Sequence, residues 1–199
     1  MKAVNHRPEV RLKGIAAAPG VARGPVYPLM RGMAIVSCEK VADPEAEIRR
    51  LEAALAATHL EISQLRDDVA RKLNESEASI FDAHLLVLDD VALIDDVSKE
   101  VRRSGFNVEF CFQEVAQRYI EIFEKMDDDF LRERASDIRD VTGRVLDQLL
   151  GTQPERVGQA AQAHVVAASD LTPSDTAGLH DGGVLAFVTE GGGRTSHSA

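Results

Sequence analysis

The chain is poor in cysteine and has no long apolar run, and each shortage excludes a class of protein. Its 199 residues include two cysteines, Cys38 and Cys111, which lie far apart and form no Cys-x-x-Cys motif. This excludes a disulfide framework and a thiolate zinc site, and it fits a reducing cytoplasm. No apolar run approaches the roughly 20 residues that span a bilayer, and the polar segment 1–11 has no signal-peptide core. The sequence therefore predicts a cytoplasmic protein without membrane insertion.

An excess of positive charge is also missing. The net charge of −10 argues against general nucleic-acid binding, whereas 44% hydrophobic residues are enough for a packed core. Residues 43–150 contain 26 Asp and Glu against 14 Lys and Arg, a net charge of −12, and the rest of the chain has a net charge of +2. An acidic docking surface for a basic partner is one interpretation. An ordinary solvated helical surface is the other, and charge alone favours it.

This acidic segment has the periodicity of packed helices. Asp43 can cap a first helix that has Pro44 at its first position. Apolar residues then recur at spacings of three, four and seven, which predicts a buried seam of Ile48, Leu51, Leu55, Ile62, Leu65 and Val69. We expect a second helix from Ser76, broken at Ser104-Gly105. A third is expected from Asn107 and a fourth after the acidic run 127–129, ending near Gly151. The prediction is an antiparallel helical bundle over 43–150.

The flanking segments, 1–42 and 151–199, have the pattern of short strands joined by tight turns. A capping-box sequence at 172–175 predicts a short helix between the last two strands. The predicted strands are Val10–Ala17, Val21–Met30, Met33–Val41, His164–Ala168 and Val184–Val188. The fold class predicted is α/β plus all-α, an α/β domain interrupted in sequence by the helical bundle.

Residues suited to phosphate chemistry follow the last two predicted strands. A right-handed strand–helix–strand unit places both following loops at one edge of the sheet, so Thr176 and His197 can converge there. Three glycines at 191–193 can present backbone N–H groups to an anion, and Arg194 adds a permanent positive charge. Thr195 and Ser196 add hydroxyl donors, and a neutral imidazole is a nucleophile. A glycine-rich turn beside a structural histidine is the plainer alternative, and no Walker motif is present.

Five blocks of the sequence, taken in order, resemble one family. They are GIAAAPGVA at 14–22, IFDAHLLVLDD at 80–90, ERASDIRDV at 133–141, ASDLTPSDT at 168–176 and GGGRTSHSA at 191–199. Together they resemble Enzyme I of the bacterial sugar phosphotransferase system, the phosphoenolpyruvate-protein phosphotransferase. The resemblance implies a swivelling phosphohistidine α/β domain with an inserted helical bundle. It also implies that phosphoenolpyruvate phosphorylates His197 on Nε2, that Thr176 hydrogen-bonds the imidazole, and that Arg194 and Thr195 hold the phosphoryl group or shape the loop.

The same resemblance implies a partner for the helical segment. In the family this segment docks HPr, a small carrier that receives the phosphoryl group on its own histidine. The residues predicted to bind it are Glu75, Asp82, Leu86, Val87, Asp90 and Arg134. Leu86 and Val87 would form an apolar centre with an acidic rim. Another helix covering Leu86, and Arg134 bridging acids of the bundle, are the alternatives. His84 is interpreted as a packed core histidine.

Only two residues follow His197. The family continues with a helix, further strands and a dimerising barrel domain that binds phosphoenolpyruvate and Mg²⁺. We therefore expect no cofactor in this chain and Mg²⁺ in that missing domain. The chain is expected to be a fragment or a truncated product that cannot use phosphoenolpyruvate alone.

Three alternative functions remain at this stage. One is the phosphohistidine domain of a pyruvate phosphate dikinase or phosphoenolpyruvate synthase, over which Arg194 and the acidic helical segment favour Enzyme I. The second is a non-catalytic fragment that binds HPr, and the third is a plain helical scaffold. The lack of an appended sensor domain mildly favours the sugar branch of the system over the nitrogen-regulatory branch.

Overall fold

Five helices lie between the first and second strands of a small parallel sheet. The structure, a computed structural model, describes residues 9–29, 36–152, 162–169, 171–172, 175 and 183–190. The elements in chain order are β1 (Val26–Leu29), α1 (Pro44–Lys72), α2 (Glu75–Leu88), α3 (Val91–Ser104), α4 (Val108–Glu124), α5 (Asp129–Leu150), β2 (His164–Ala168) and β3 (Val184–Thr189). The predicted combination of a helix-rich segment with a parallel sheet is confirmed. The antiparallel course of the helices and the domain boundaries after residues 42 and 150 stay predictions.

Side-chain caps fix where most of the helices begin. Asp43 accepts hydrogen bonds from the backbone N–H groups of Glu45 and Ala46 at 3.0 and 3.1 Å, as the sequence predicts for α1. The predicted start of α2 at Ser76 is wrong, because Asn74 is the cap and its Oδ1 accepts from the N–H of Glu77 at 2.9 Å. The amide oxygen of Asn74, two positions before Ser76, thus accepts a hydrogen bond from a free N–H group of the first turn.

The predicted second helix is in fact two helices. Asp90 accepts from the N–H groups of Ala92 and Leu93 at 2.8 and 3.3 Å, and so starts α3 immediately after α2. The apolar pattern continues across this junction, which is why the sequence suggested one element. Gly105 then ends α3 with a left-handed φ of 63°, a conformation that glycine adopts without a steric penalty.

The core of the helical segment is continuous from α1 to α5. In α1 the predicted seam is confirmed, with Leu55 and Leu65 half-buried and the other four positions buried. Phe81 and Phe112 are the largest fully buried apolar side chains, at 1% and 2% exposure. Ile138, Val141, Val145 and Leu149 bury the predicted face of α5. Burial of this apolar area is the main stabilising term of the segment.

Arg50 joins the first and last turns of the helical segment. Its guanidinium pairs with Glu47 at 2.8 Å and with Glu109, and it donates to the carbonyl of Leu149 at 3.3 Å. Glu47 also accepts from the N–H of Val108 at 2.9 Å. This contact caps α4, which gets no side-chain cap from Asn107. The hydrogen bonds that Arg50 donates to Glu109 and then to Glu47 raise the pKa of Arg50, so its charge is permanent.

The sheet is parallel with the strand order β1-β2-β3. Val26 pairs with Val165, and on the other side Ala168 pairs with Thr189. The parallel pairing predicted for the last two strands is confirmed. Its core is a separate small cluster of Leu29, Val166, Ala168 and Leu171.

One predicted strand is wrong, and the described part of another forms only a single bridge. Residues 10–17 form no strand, and Val10, Leu12 and Ile15 are 75%, 88% and 78% exposed. Within Met33–Val41, the described residues 36–41 make one isolated bridge, between Lys40 and Phe106. A β-branched sequence becomes a strand only where a partner strand accepts its hydrogen bonds. Within the described part of the chain, residues 10–17 have no such partner and residues 36–41 have only Phe106.

None of the described helices is long and apolar enough to cross a membrane.

Candidate functional site

The residues predicted to carry phosphoryl chemistry lie outside the described residues. They are Thr176, Arg194, Thr195 and His197. Their positions and contacts are therefore not described, and their roles stay predictions. The structure does describe the strands from which both predicted loops depart.

Both loops leave from the same edge of the sheet. Ala168 and Thr189, the last residues of β2 and β3, are register partners, and the N–H of Glu190 donates to the carbonyl of Ala168 at 3.2 Å. Beyond β2, Asp175 Oδ2 accepts from the N–H and the hydroxyl of Thr172 at 2.8 and 3.0 Å. This is the reciprocal bonding expected of a capping box, in which the N–H of Asp175 returns a bond to Thr172 Oγ1 at 3.4 Å.

The predicted docking face lies on the outer side of α2. Leu86 is 71% exposed, so none of the described helices covers it. Val87 is half-buried, because it packs against the cluster of Ile120, Ala135 and Ile138. The apolar centre is therefore chiefly Leu86 with one edge of Val87, a smaller patch than the sequence predicts.

The acidic rim around Leu86 contains a basic residue that the sequence analysis missed. Arg66 on α1 pairs with Asp82 at 2.9 Å and with Glu75 at 3.1 Å. The hydrogen bond to Asp82 is the main reason why the pKa of Arg66 is raised. No local pattern in the sequence identifies Arg66, because its contacts depend on how α1 lies against α2. Part of the rim's negative charge is thus neutralised from within the chain.

Asp90 has two roles at the other end of this face. Its carboxylate is exposed, as the predicted docking role requires, and it also caps α3. Replacing it with alanine therefore removes a helix cap as well as a charge.

Arg134 lies on α5 and is one-third exposed, and its Nη1 is 3.5 Å from Asp137 Oδ2. It therefore contacts an acid of the helical segment, as one alternative anticipated, and it still reaches the surface. The other oxygen of Asp137 lies 3.4 Å from Nε2 of His84. His84 is completely buried and stacks edge-on against Phe81, so its interpretation as a core residue is confirmed.

No group of three or more His, Cys, Asp or Glu side chains within the described ranges is arranged to hold a metal ion. Cys111 is buried, and burial raises the pKa of its thiol, whereas Cys38 is exposed.

Two family profiles match consecutive parts of the chain. The family described as "PEP-utilising enzyme, N-terminal" matches residues 13–134, and "PEP-utilising enzyme, mobile domain" matches residues 160–199. The phosphoenolpyruvate-protein phosphotransferase of Listeria monocytogenes is 45% identical over 94% of this chain. The corresponding protein of Bacillus subtilis is 39% identical over 94% of it. The chain belongs to the Enzyme I family.

Solved Enzyme I structures have the same fold. The solution structure of Enzyme I (nEIt) covers 94% of this chain and 77% of its own chain, with 34% identity and a TM-score of 0.75. The N-terminal domain of "Enzyme 1 - Nitrogen" covers 92% of this chain and 76% of its own, with 25% identity and a TM-score of 0.65. The chain spans about a third of the length of the curated Enzyme I relatives that it matches, and it corresponds to their N-terminal region.

Proposed function

We propose that this chain is the part of an Enzyme I that accepts a phosphoryl group on His197 Nε2 and passes it to HPr in the sugar phosphotransferase system. The observation that carries the proposal is the pairing of Ala168 with Thr189, from which the segments leading to Thr176 and His197 leave the sheet side by side. The mobile-domain profile of the phosphoenolpyruvate-utilising enzymes covers both residues. Transfer between two imidazoles needs positioning and charge neutralisation more than acid–base catalysis.

Each residue of the proposed phosphoryl site has a separate task. The imidazole of His197 attacks the phosphorus with its free lone pair. Thr176 would hold the ring by a hydrogen bond, and Arg194 with Thr195 would bind the phosphoryl oxygens. Arginine suits this task because its planar guanidinium offers two parallel donors to phosphate. Phosphoenolpyruvate and its Mg²⁺ would be bound by a further domain of the longer protein.

The outer face of α2 is the proposed docking surface for HPr. Leu86 supplies an apolar anchor, and Glu75, Asp82 and Asp90 surround it with exposed carboxylates. An apolar centre within a polar rim is the usual arrangement of a protein–protein interface. The acids would attract a basic surface of the carrier and speed its approach.

Back-transfer tests the phosphoryl site without requiring phosphoenolpyruvate. The chain is mixed with phospho-HPr, and mass spectrometry locates acid-labile phosphate. The N–P bond on the carrier breaks as the N–P bond on His197 forms, so one phosphoryl group moves and nothing is oxidised. We expect phosphate on His197 and none in His197→Ala. Phosphate on the variant would overturn the assignment, and binding without transfer would leave the chain as a docking module only.

The docking surface is tested by a matched pair of leucines. Leu86→Ala should weaken HPr binding by about tenfold, because an interface anchor contributes roughly 1–2 kcal/mol. Leu60→Ala is the control, since Leu60 on α1 is 60% exposed and lies outside the proposed surface. Equal affinities for the two variants would contradict the docking assignment.

A second pair separates the charge of Asp90 from its cap. Asp90→Asn keeps a capping oxygen and removes the charge, whereas Asp90→Ala removes both. Both variants should slow association with HPr at low salt, and the alanine variant alone should lower stability, by about 1 kcal/mol. An association rate that is the same in both variants as in the wild type, and that does not change with ionic strength, would refute electrostatic steering by this rim.

A further inference from the structure

A buried histidine lies directly beneath the proposed docking face. His84 is on the inner side of α2 and has no exposed surface. Within the described residues neither ring nitrogen makes a well-aligned hydrogen bond, although both face carboxylates of α5. Burying a polar ring without aligned partners costs free energy. The ring is placed so that each nitrogen faces a carboxylate, which gives it a means of holding those side chains in position.

The carboxylate of Asp137 connects this histidine to the surface. Its Oδ1 lies 3.4 Å from His84 Nε2, and its Oδ2 lies 3.5 Å from Arg134 Nη1. One carboxylate thus faces the buried ring on one side and the guanidinium on the other. Asp137 is 18% exposed at its side chain and Arg134 is 33% exposed, so the series runs from the core outward.

The other side of the ring faces a group of charges that is held in place. His84 Nδ1 lies 3.9 Å from Asp140 Oδ2, and Asp140 Oδ1 lies 3.8 Å from Nε of Arg144. Arg144 also pairs with Glu61 on α1 at 2.5 Å. Since Asp140 is tied to α1 through Arg144, it gives His84 a fixed support, and Asp137 is the neighbour that reaches the surface.

Arg134 lies at the edge of the docking face. Val87, the second apolar residue of that face, packs against Ala135 and Ile138, which flank Asp137 on α5. Arg134 immediately precedes Ala135, so its guanidinium emerges from α5 beside α2. A flexible arginine there would lose side-chain entropy on binding a partner, and a guanidinium held in advance loses less.

We propose that His84 is a positioning residue that, through the carboxylate of Asp137, fixes the guanidinium of Arg134 at the edge of the α2 docking face. This inference rests on the proposed HPr docking. His84 touches neither partner nor phosphoryl group, and its effect passes entirely through Arg134. A histidine that served packing alone would have no such link to binding.

The test compares two substitutions with different expected effects on the affinity for HPr. His84→Leu keeps the volume and removes the ring nitrogens, so it should weaken HPr binding about five- to tenfold. It also removes a polar neighbour from Asp137 and the buried Asp140, so its melting temperature should not rise. Phe112→Leu on α4, which makes no ring contact with His84 in the described structure, should lower the melting temperature and leave the affinity unchanged. His84→Gln, whose amide can donate to Asp137 from about the position of Nε2, should restore most of the affinity. Titration calorimetry with the full 199-residue chain measures the affinities of the three variants, and thermal denaturation measures their melting temperatures.

A double substitution identifies the route. In an Arg134→Ala background, His84→Leu should cause no further loss of affinity, because the residue it positions is gone. A loss that persists there, or a wild-type affinity in His84→Leu, overturns the proposal. Asp137→Asn is the second variant if His84→Leu does not fold, and it should weaken binding in the same way.

The NMR signals of the Arg134 guanidinium give a readout that does not depend on HPr. In the free chain they should be distinct from those of exposed arginines, and His84→Leu should move them toward those values. Identical Arg134 signals in both proteins would refute the positioning role whatever HPr does. Failure of the wild-type chain to bind HPr, with the Arg134 signals still shifted, would refute the docking function instead.

Discussion

The helical segment and the sheet are built by different means. Most helices of the helical segment begin at a capping side chain within the same stretch of sequence, and the helices share one continuous core. The sheet has three short strands and a core of four residues, and β1 pairs with β2 from the opposite end of the chain. Local signals and periodic burial therefore specify the first region. The second depends on long-range pairing that no local pattern encodes.

The two regions also divide the proposed function between them. Most of the proposed docking residues lie on α2, whose inner face is anchored by Phe81 and Leu88. The proposed phosphoryl residues follow β2 and β3 in the sequence. The proposal thus assigns recognition to a packed helix and the chemistry to segments beyond a small sheet.

The largest expected effect contrasts one phenylalanine from each region. Phe112→Ala should lower the free energy of unfolding by about 3–5 kcal/mol, because it empties a fully packed site in the helical core. Phe187→Ala on β3, where the ring is 39% exposed, should cost less than about 1 kcal/mol. Urea denaturation followed by circular dichroism measures the free energy of unfolding of both variants. Equal losses would contradict the distinction between a tightly packed helical core and a lightly packed sheet.

A middle-sized effect is expected where the chain enters and leaves the helical segment. Arg50→Met should cost about 2 kcal/mol, since it leaves the buried carboxylates of Glu47 and Glu109 without their cation. This value is below that of a fully buried pair because Arg50 is half-exposed. Arg49→Met is the control, as Arg49 pairs only with the exposed Asp43 among the contacts described. Equal stabilities of the two variants would show that the ion pairs of Arg50 contribute nothing to the free energy of unfolding.

The smallest effect concerns a surface ion pair between α1 and α3. Arg102 donates to Glu45 at 2.7 and 3.0 Å, and these hydrogen bonds lower the pKa of Glu45 from its ordinary 4.5. A lowered folded-state pKa means that the pair stabilises above pH 4.5 and that this contribution is lost as the pH falls through the folded pKa. Glu45→Gln should therefore melt slightly below the wild type at pH 7 and together with it in strong acid. Glu52→Gln, an exposed change on the same helix, should show no such convergence.

The same contrast explains what the sequence predicted well. The Asp43 cap, the seam of α1 and the core position of His84 follow from local pattern and are confirmed. The parallel pairing of the last two strands is also confirmed, and it follows from the rule for strand–helix–strand units. Asn74 displaced Ser76 because two residues able to cap stand close together, and sequence alone does not rank them. The strands expected at 10–17 and 33–41 have suitable composition, but among the described residues 10–17 pair with no strand and 36–41 make only the bridge between Lys40 and Phe106.

The features of the candidate site also differ in how well the sequence predicts them. Exposure of Leu86 could be predicted from its place on the helix, since it falls off the apolar face. Arg66 could not, because its contact with Asp82 depends on how α1 lies against α2. The partial burial of Val87 has the same origin, in the packing of α2 on α4 and α5.

The contact between Arg50 and the carbonyl of Leu149 has a consequence for how the chain folds. Once the helices have assembled, this contact holds the two ends of the helical segment together. The strands on either side are then tethered across a short gap instead of a long flexible loop, which reduces the entropy lost when β1 meets β2. During synthesis β1 emerges first, and it can pair with β2 only after the five helices between them have been made. In refolding kinetics, formation of the sheet should therefore be a late, slow phase. The rate of that phase should depend on Arg50, which contacts none of the described strands.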